Sequence, residues 1–276
     1  MNIKKTTKTG TFTEISYTRR TDNQQTYYKS GKRSAKAVTS SEKQRRQNIK
    51  NANKRLKRLV LGNFKEKCDF FSTFTFSKAV ALNEAKQSIR QFIESLRSVY
   101  ASEGVPLKYI YVIERGEKSK RLHVHFVLSN CRRSEIMSAW EAVQNAGKSN
   151  VQTMKNVDDA IEYLTKAPVG KQRYTSSRNL TRPVEQSEQV SEKEHRAALA
   201  AAILDDKAGM SRICEEHNPH EAYTYRNPVT GCRGVYFSYF EDSDNKRQRP
   251  SMSKTEERPS RYAWHRTERS SSNMIN

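Results

Sequence analysis

Two histidines, His123 and His125, stand one residue apart in the run RLHVHFVLSN (121–130). The run alternates: Leu122, Val124, Phe126 and Leu128 form one apolar set. In a strand, positions i and i+2 point the same way, so the two imidazoles share the opposite face with Val127. Neutral imidazole nitrogens are common ligands for divalent ions. The alternative is a half-exposed strand whose histidines bond to neighbours. Glu114 ends the preceding run KYIYVIE (108–114), on the side of Ile110 and Val112, across the polar turn RGEKSKR (115–121). A hairpin over 108–129 therefore brings one carboxylate and two imidazoles to one end of a sheet face. Such a set, with open positions, suits Mg²⁺ or Mn²⁺ for Lewis-acid work, and zinc would bind it too.

A second constellation is Tyr163-x-x-Lys166, in NVDDAIEYLTKA (156–167). The spacing predicts a helix with Asn156 as its cap, ended by Pro168. Val157, Ala160, Ile161 and Leu164 make its apolar stripe, and Tyr163 and Lys166 lie together beside it. Tyrosine is among the side chains that form covalent intermediates, and a nearby cation or metal favours its phenolate. A surface tyrosine with an ordinary lysine neighbour would give the same spacing.

The elements that must position these residues follow in order. DFFSTFTF (69–76) reads as a strand, and VALNEAKQSIRQFIESLRSVY (80–100) has apolar residues at helical spacing. The hairpin strands come next, then a helix over 134–147 stopping at Gly147, a short strand at 150–155 and the Tyr163 helix. This β-α-β-β-α-β-α order predicts an α+β, ferredoxin-like split βαβ fold: an antiparallel sheet with helices on one face and the other face free for a site.

The chain has 276 residues and a formal net charge of +21. That surplus points to a polyanion, most simply DNA. Residues 1–65 carry 18 Lys/Arg against 3 Asp/Glu. Composition divides the chain into a basic disordered arm (1–40), a basic helix (41–66) capped by Ser41 and ending near Gly62, a core domain (67–185), a C-terminal extension (186–240) with a helix and a hairpin around NPVTG, and a disordered tail (241–276). A basic, aromatic loop, KQRYTSSRNLTRP (171–183), closes the core domain. No apolar run approaches the ~18 residues of a spanning helix, and no apolar stretch follows the basic start, so no membrane partner and a cytoplasmic location are expected. No GxxxxGK[ST] occurs, so helicase activity is expected from a host protein. Cys68, Cys131, Cys214 and Cys232 form no CxxC pair and read as free thiols. Cys214, His217, His220 and Cys232 offer a second, non-standard metal set.

Taken together, these motifs resemble the HUH endonucleases, most closely the rolling-circle replication initiators of bacterial plasmids and single-stranded DNA phages. The resemblance spans about 56–185. FFSTFTF looks like the family's first motif, His123-Val124-His125 like its second with Glu114 as third ligand, and Tyr163 to Lys166 like its third. RYTSSRNLTRP resembles the stretch that follows the third motif in phage-type initiators. The resemblance implies an enzyme that nicks single-stranded origin DNA through Tyr163, aided by Lys166 and a divalent Mg²⁺ or Mn²⁺ on Glu114, His123 and His125. It implies a 5′-phosphotyrosyl intermediate, a free 3′-OH primer, and host helicase and DNA polymerase as partners in a bacterial cytoplasm. The chain has one tyrosine in the third motif where some relatives have two; Tyr174 lies outside it. A relaxase or single-tyrosine transposase would share the chemistry, and a non-catalytic DNA-binding protein could share the fold.

Overall fold

Strict alternation over Phe70–Phe76 (FFSTFTF) builds β3, the central strand around which the predicted core assembles. A computed structural model describes residues 1–19, 42–116, 120–165, 169, 173–226 and 231–241. Strand β3 is followed by α2 (Leu82–Ser102), β4 (Tyr109–Arg115), β5 (Leu122–Leu128), α3 (Arg133–Glu141), β6 (Ala146–Thr153) and α4 (Val157–Thr165), with a short β7 (Thr175–Ser176) beyond. The sheet order is β6-β3-β5-β4-β7, and every pair is antiparallel. The first four strands thus keep the split βαβ order expected from the sequence.

Phe70, Phe74 and Phe76 of β3 and Leu122, Val124, Phe126 and Leu128 of β5 turn to one face and pack against α2 and α3. At its centre the Phe74 ring meets Phe92 at 4.8 Å and Trp140 at 5.0 Å. Such tilted and edge contacts add to the area these rings bury.

The opposite face is only partly open, which corrects the expectation of helices on one side. Ile110, Val112 and Val127 are covered by α4 and by α1 (Glu42–Asn63), through Leu56, Leu59, Val60, Phe64, Val157, Ala160, Ile161 and Leu164. The basic helix is therefore a core element in its second half. Arg45, Arg46 and Lys50 in its first half stay exposed. The expected cap at Ser41 lies outside the described residues. Gly62 sits inside the helix rather than past its end. A Cβ there would stand 2.7 Å from the Thr9 side chain, so glycine is what lets α1 touch the turn at Thr9 and Gly10.

The arm drawn over 1–40 is not disordered in its first part. Asn2–Thr9 (β1) and Phe12–Arg19 (β2) form a hairpin in a second five-stranded sheet, β8-β1-β2-β10-β9, with β8 (Val184–Val190), β9 (Glu221–Arg226) and β10 (Arg233–Phe240). Two features account for the difference. The lysines that made this stretch look solvated pair with distant acids: Lys4 with Glu188, Lys5 with Glu185 and Lys8 with Glu241, at 3.1, 2.7 and 2.7 Å. Its few apolar residues, Ile3, Phe12, Ile15 and Tyr17, are all buried. Ile15 and Tyr17 meet Val235, Phe237 and Tyr239 beneath α5 (Glu192–Ile203) and α6 (Lys207–Ile213). The remainder of that arm and the tail beyond Glu241 lie outside the described residues.

Arg58 ties α1 to the second sheet. It bonds Glu14, donates to Glu185 at 2.7 Å and to the Thr7 hydroxyl at 3.1 Å, while Tyr236 donates to Glu14 at 2.7 Å. The third helix is shorter than its pattern predicts. It ends at Glu141, Asn145 takes a left-handed turn (φ 64°), and Gly147 falls in β6. A Cβ on Gly147 would lie 2.7 Å from the Phe76 backbone, so this glycine serves strand pairing, not a helix stop. Among the described residues, no helix is long and apolar enough to cross a membrane.

Candidate active site

Register places the site. In the hairpin, Glu114 of β4 lies directly opposite His123 of β5, and Val112 opposite His125. On the other side of β5, Thr73 of β3 faces His125 and Thr75 faces His123. All these side chains point away from the α2–α3 layer, at the end of the sheet that α1 and α4 leave uncovered.

The three sequence-predicted ligands meet. His125 Nε2 stands 3.2 Å and His123 Nε2 3.6 Å from Glu114 Oε2. One ligand atom from each residue lies within 4.8 Å of the others, and this is the metal-capable group among the described residues. Glu114 is 7% exposed and His125 6%. Burial, with His123 beside it, lowers the His125 pKa to about 4. The imidazole is therefore neutral at pH 7, the form that can ligate. Among the described residues, the buried Glu114 carboxylate faces these imidazole nitrogens rather than a lysine or arginine. It is short of positive charge, which a divalent cation supplies.

The site has a support that the ligand spacing does not reveal. The Thr73 hydroxyl lies 3.0 Å from His125 Nδ1. For Nε2 to present a lone pair to a cation, Nδ1 must carry the proton and donate it to the Thr73 oxygen. Such outer bonds fix the tautomer and orient the ring. Phe71, two residues before, stacks on the same imidazole at 5.7 Å with 10° between the planes. Both residues are in the β3 run; the signal that would have singled them out is their parity, which puts 71, 73 and 75 on the histidine face.

Helix α4 delivers the tyrosine. Asn156 Oδ1 accepts from the Asp158 N–H at 2.8 Å, the expected cap, and Glu66 accepts from Val157 N–H at 2.8 Å. With its apolar stripe buried, the helix turns Tyr163 outward. Its ring lies 5.6 Å from Phe71 and 6.0 Å from His125, and it remains 51% exposed. Tyr163 is thus next to the ligand group and open to a large substrate. Lys166 lies outside the described residues. Tyr174 is not at this site; it packs against the α1–α4 core.

The second metal set is not assembled. Cys214 is buried in the second core with its thiol pushed up to about 12 by burial. His217 stacks on Tyr239 and His220 meets the edge of Phe240.

Residues 69–171 match the replication-associated protein (ORF2) family. The matched stretch runs from the start of β3 past α4 and contains Glu114, His123, His125 and Tyr163. No curated protein and no solved structure matches the chain. Beside an α+β fold with a metal-capable Glu/His/His group, the family match supports a role as a replication initiator acting on DNA.

Proposed function

We propose that this chain is an HUH-type endonuclease that starts rolling-circle replication by nicking single-stranded origin DNA. The observation that carries the reading is the exposed Tyr163 ring 6.0 Å from His125, whose Nε2 belongs to the Glu114–His123–His125 group. Glu114, His123 and His125 would hold Mg²⁺ or Mn²⁺. A cation there supplies Lewis-acid polarisation of the scissile phosphate and withdraws charge from the leaving oxygen.

The protein's own groups account for the remaining steps. Tyr163 Oη loses its proton to solvent or a neighbouring base and attacks phosphorus. The bond from phosphorus to the 3′-oxygen breaks, and that oxygen takes up a proton. The products are a 5′-phosphotyrosyl protein and a free 3′-OH for a host polymerase to extend. Lys166 stabilises the phenolate or the charge gathering on the phosphate. Thr73 holds His125 in the ligating tautomer. With one tyrosine at the site, termination uses a second subunit or Tyr163 again after release. The exposed basic start of α1 contacts phosphates.

The test is covalent capture of a labelled single strand from the protein's own replicon, with Mn²⁺ present. Wild type should form a denaturation-resistant adduct and Tyr163→Phe none, while both bind the strand. An adduct formed by the Phe variant, or cleavage undiminished in EDTA, would overturn the mechanism. Binding without any adduct would leave a non-catalytic DNA-binding protein.

A further inference from the structure

On the far side of β4 from Glu114, the protein has a cleft of about 560 Å³ between α2 and the β4 edge. That volume lies within the ~300–1,000 Å³ of clefts that hold small ligands. Lys86, Arg90 and Arg97 of α2 and Arg173 line it, against the single acid Glu94, which is bound to Arg97 at 2.7 Å. Arg173 is the unusual member. Its Nε is buried without a hydrogen-bond partner. Burial lowers its pKa, and no acidic neighbour acts to raise it. A partly buried guanidinium left without an anion is costly, so it marks a place where an anion is expected. The cleft floor is aromatic: the Tyr109 and Tyr111 rings, two residues apart on one face, stack at 6.2 Å with 26° between planes. A cationic rim over paired aromatic rings is the composition that takes nucleotides: phosphate on the guanidinium, base on the ring.

We infer that this cleft is a second DNA subsite, which holds one nucleotide of the single strand with its phosphate on Arg173 and Arg90 and its base against Tyr109 or Tyr111. Ile113 lines the cleft and Glu114 follows it on the opposite face, so the two sites lie back to back across β4. A strand filling both must turn around the β4 edge. The inference deepens the proposed nicking function, on which it rests, by giving the substrate a point of anchorage away from the scissile phosphate.

The experiment uses the full chain carrying Tyr163→Phe, in EDTA, so that cleavage and metal play no part. Oligodeoxynucleotides bearing 5-iodouracil at single positions are photo-cross-linked, and the attached residue is mapped. Label from one position should fall on Tyr109 or Tyr111. Arg173→Ala combined with Arg90→Ala should abolish that cross-link and weaken strand binding by about tenfold or more. The salt slope should flatten by ~0.7 for each phosphate no longer neutralised. Arg90→Ala with Lys86→Ala alters only exposed α2 side chains, and should weaken the same cross-link even if the Arg173 variant folds poorly. Labels that never reach either tyrosine, with unchanged affinity in both double variants, would overturn the subsite. Thymidine 5′-monophosphate that competes as tightly as the oligonucleotide would assign the cleft to free nucleotides and refute the strand reading. Failure of Tyr163 to form an adduct would leave these results untouched and strike only the nicking proposal.

Discussion

Replacing Thr73 by valine removes one hydroxyl and keeps the branched shape of the side chain. Thr73 Oγ1 touches His125 Nδ1 at 3.0 Å. Without that oxygen, Nδ1–H has no acceptor when Nε2 faces a cation, so the ligating tautomer is disfavoured. Loss of an outer bond of this kind costs roughly 10–100-fold in metal affinity, or about 1.4–2.7 kcal/mol. The neighbouring Thr75 provides a matched control: it sits on the same strand and face, but its hydroxyl donates to the Lys148 carbonyl at 3.0 Å. Calorimetric titration of Mn²⁺ into wild type, Thr73→Val and Thr75→Val should show weakened binding only in the first variant. The order should hold in cleavage at limiting Mn²⁺ and shrink at saturating Mn²⁺. Equal affinities in all three proteins, or an equal loss in both variants, would refute the assigned role of Thr73.

His125 should also make the metal-free protein acid-sensitive. Its folded pKa of about 4 lies below the ~6.5 of a free imidazole, so the unfolded chain binds more protons between these values. Stability from this group is therefore intact above pH ~6.5 and lost as pH falls toward 4, by roughly 2–4 kcal/mol. Urea unfolding in EDTA at pH 7.5 and 4.5 should show a smaller acid loss in His125→Asn than in wild type; equal losses would assign the sensitivity elsewhere. Lys166→Ala should slow single-turnover cleavage by about 10²–10³ if the lysine stabilises developing charge; an unchanged rate would make it a surface residue. Gly62→Ala should destabilise by about 1–3 kcal/mol through overpacking against Thr9, despite the ~1 kcal/mol that alanine gains over glycine in a helix. A more stable variant in thermal unfolding would show that the helix can withdraw freely.

The local part of the fold was legible because local pattern and packing agree there. Parity alone put Glu114 with Ile110 and Val112, and His123 with His125. The apolar stripe of α4 likewise predicted which of its residues are buried, and so which side Tyr163 must take. What failed was non-local. β1 carries Lys4, Lys5 and Lys8 among threonines, and nothing within it reveals that the chain returns far downstream with Glu185 and Glu188 in register. Read alone, such a strand has the composition of a solvated arm; it becomes a strand only when β8 and β10 arrive. Thr73 was hidden for a related reason, since its value lies in the β3–β5 register and not in its own motif.

Packing on two sides also explains why the basic helix is built into the protein and not merely attached. One side of α1 fills the core that α4 completes, and α4 carries Tyr163. Another side presents Arg58 to Glu14, Glu185 and Thr7 of the second sheet. Removing one partner from a buried ion pair typically costs about 3–5 kcal/mol, because the other charge is left without compensation. The second sheet, α1, α4 and the tyrosine thus form one mechanical chain. Arg58→Met should therefore lower thermal stability without touching a ligand, and should reduce adduct yield more than Mn²⁺ affinity. Glu114, His123 and His125 hang on β4 and β5, which α2 and α3 hold independently. A parallel fall in metal affinity and adduct yield would show instead that the two sheets support the whole site together.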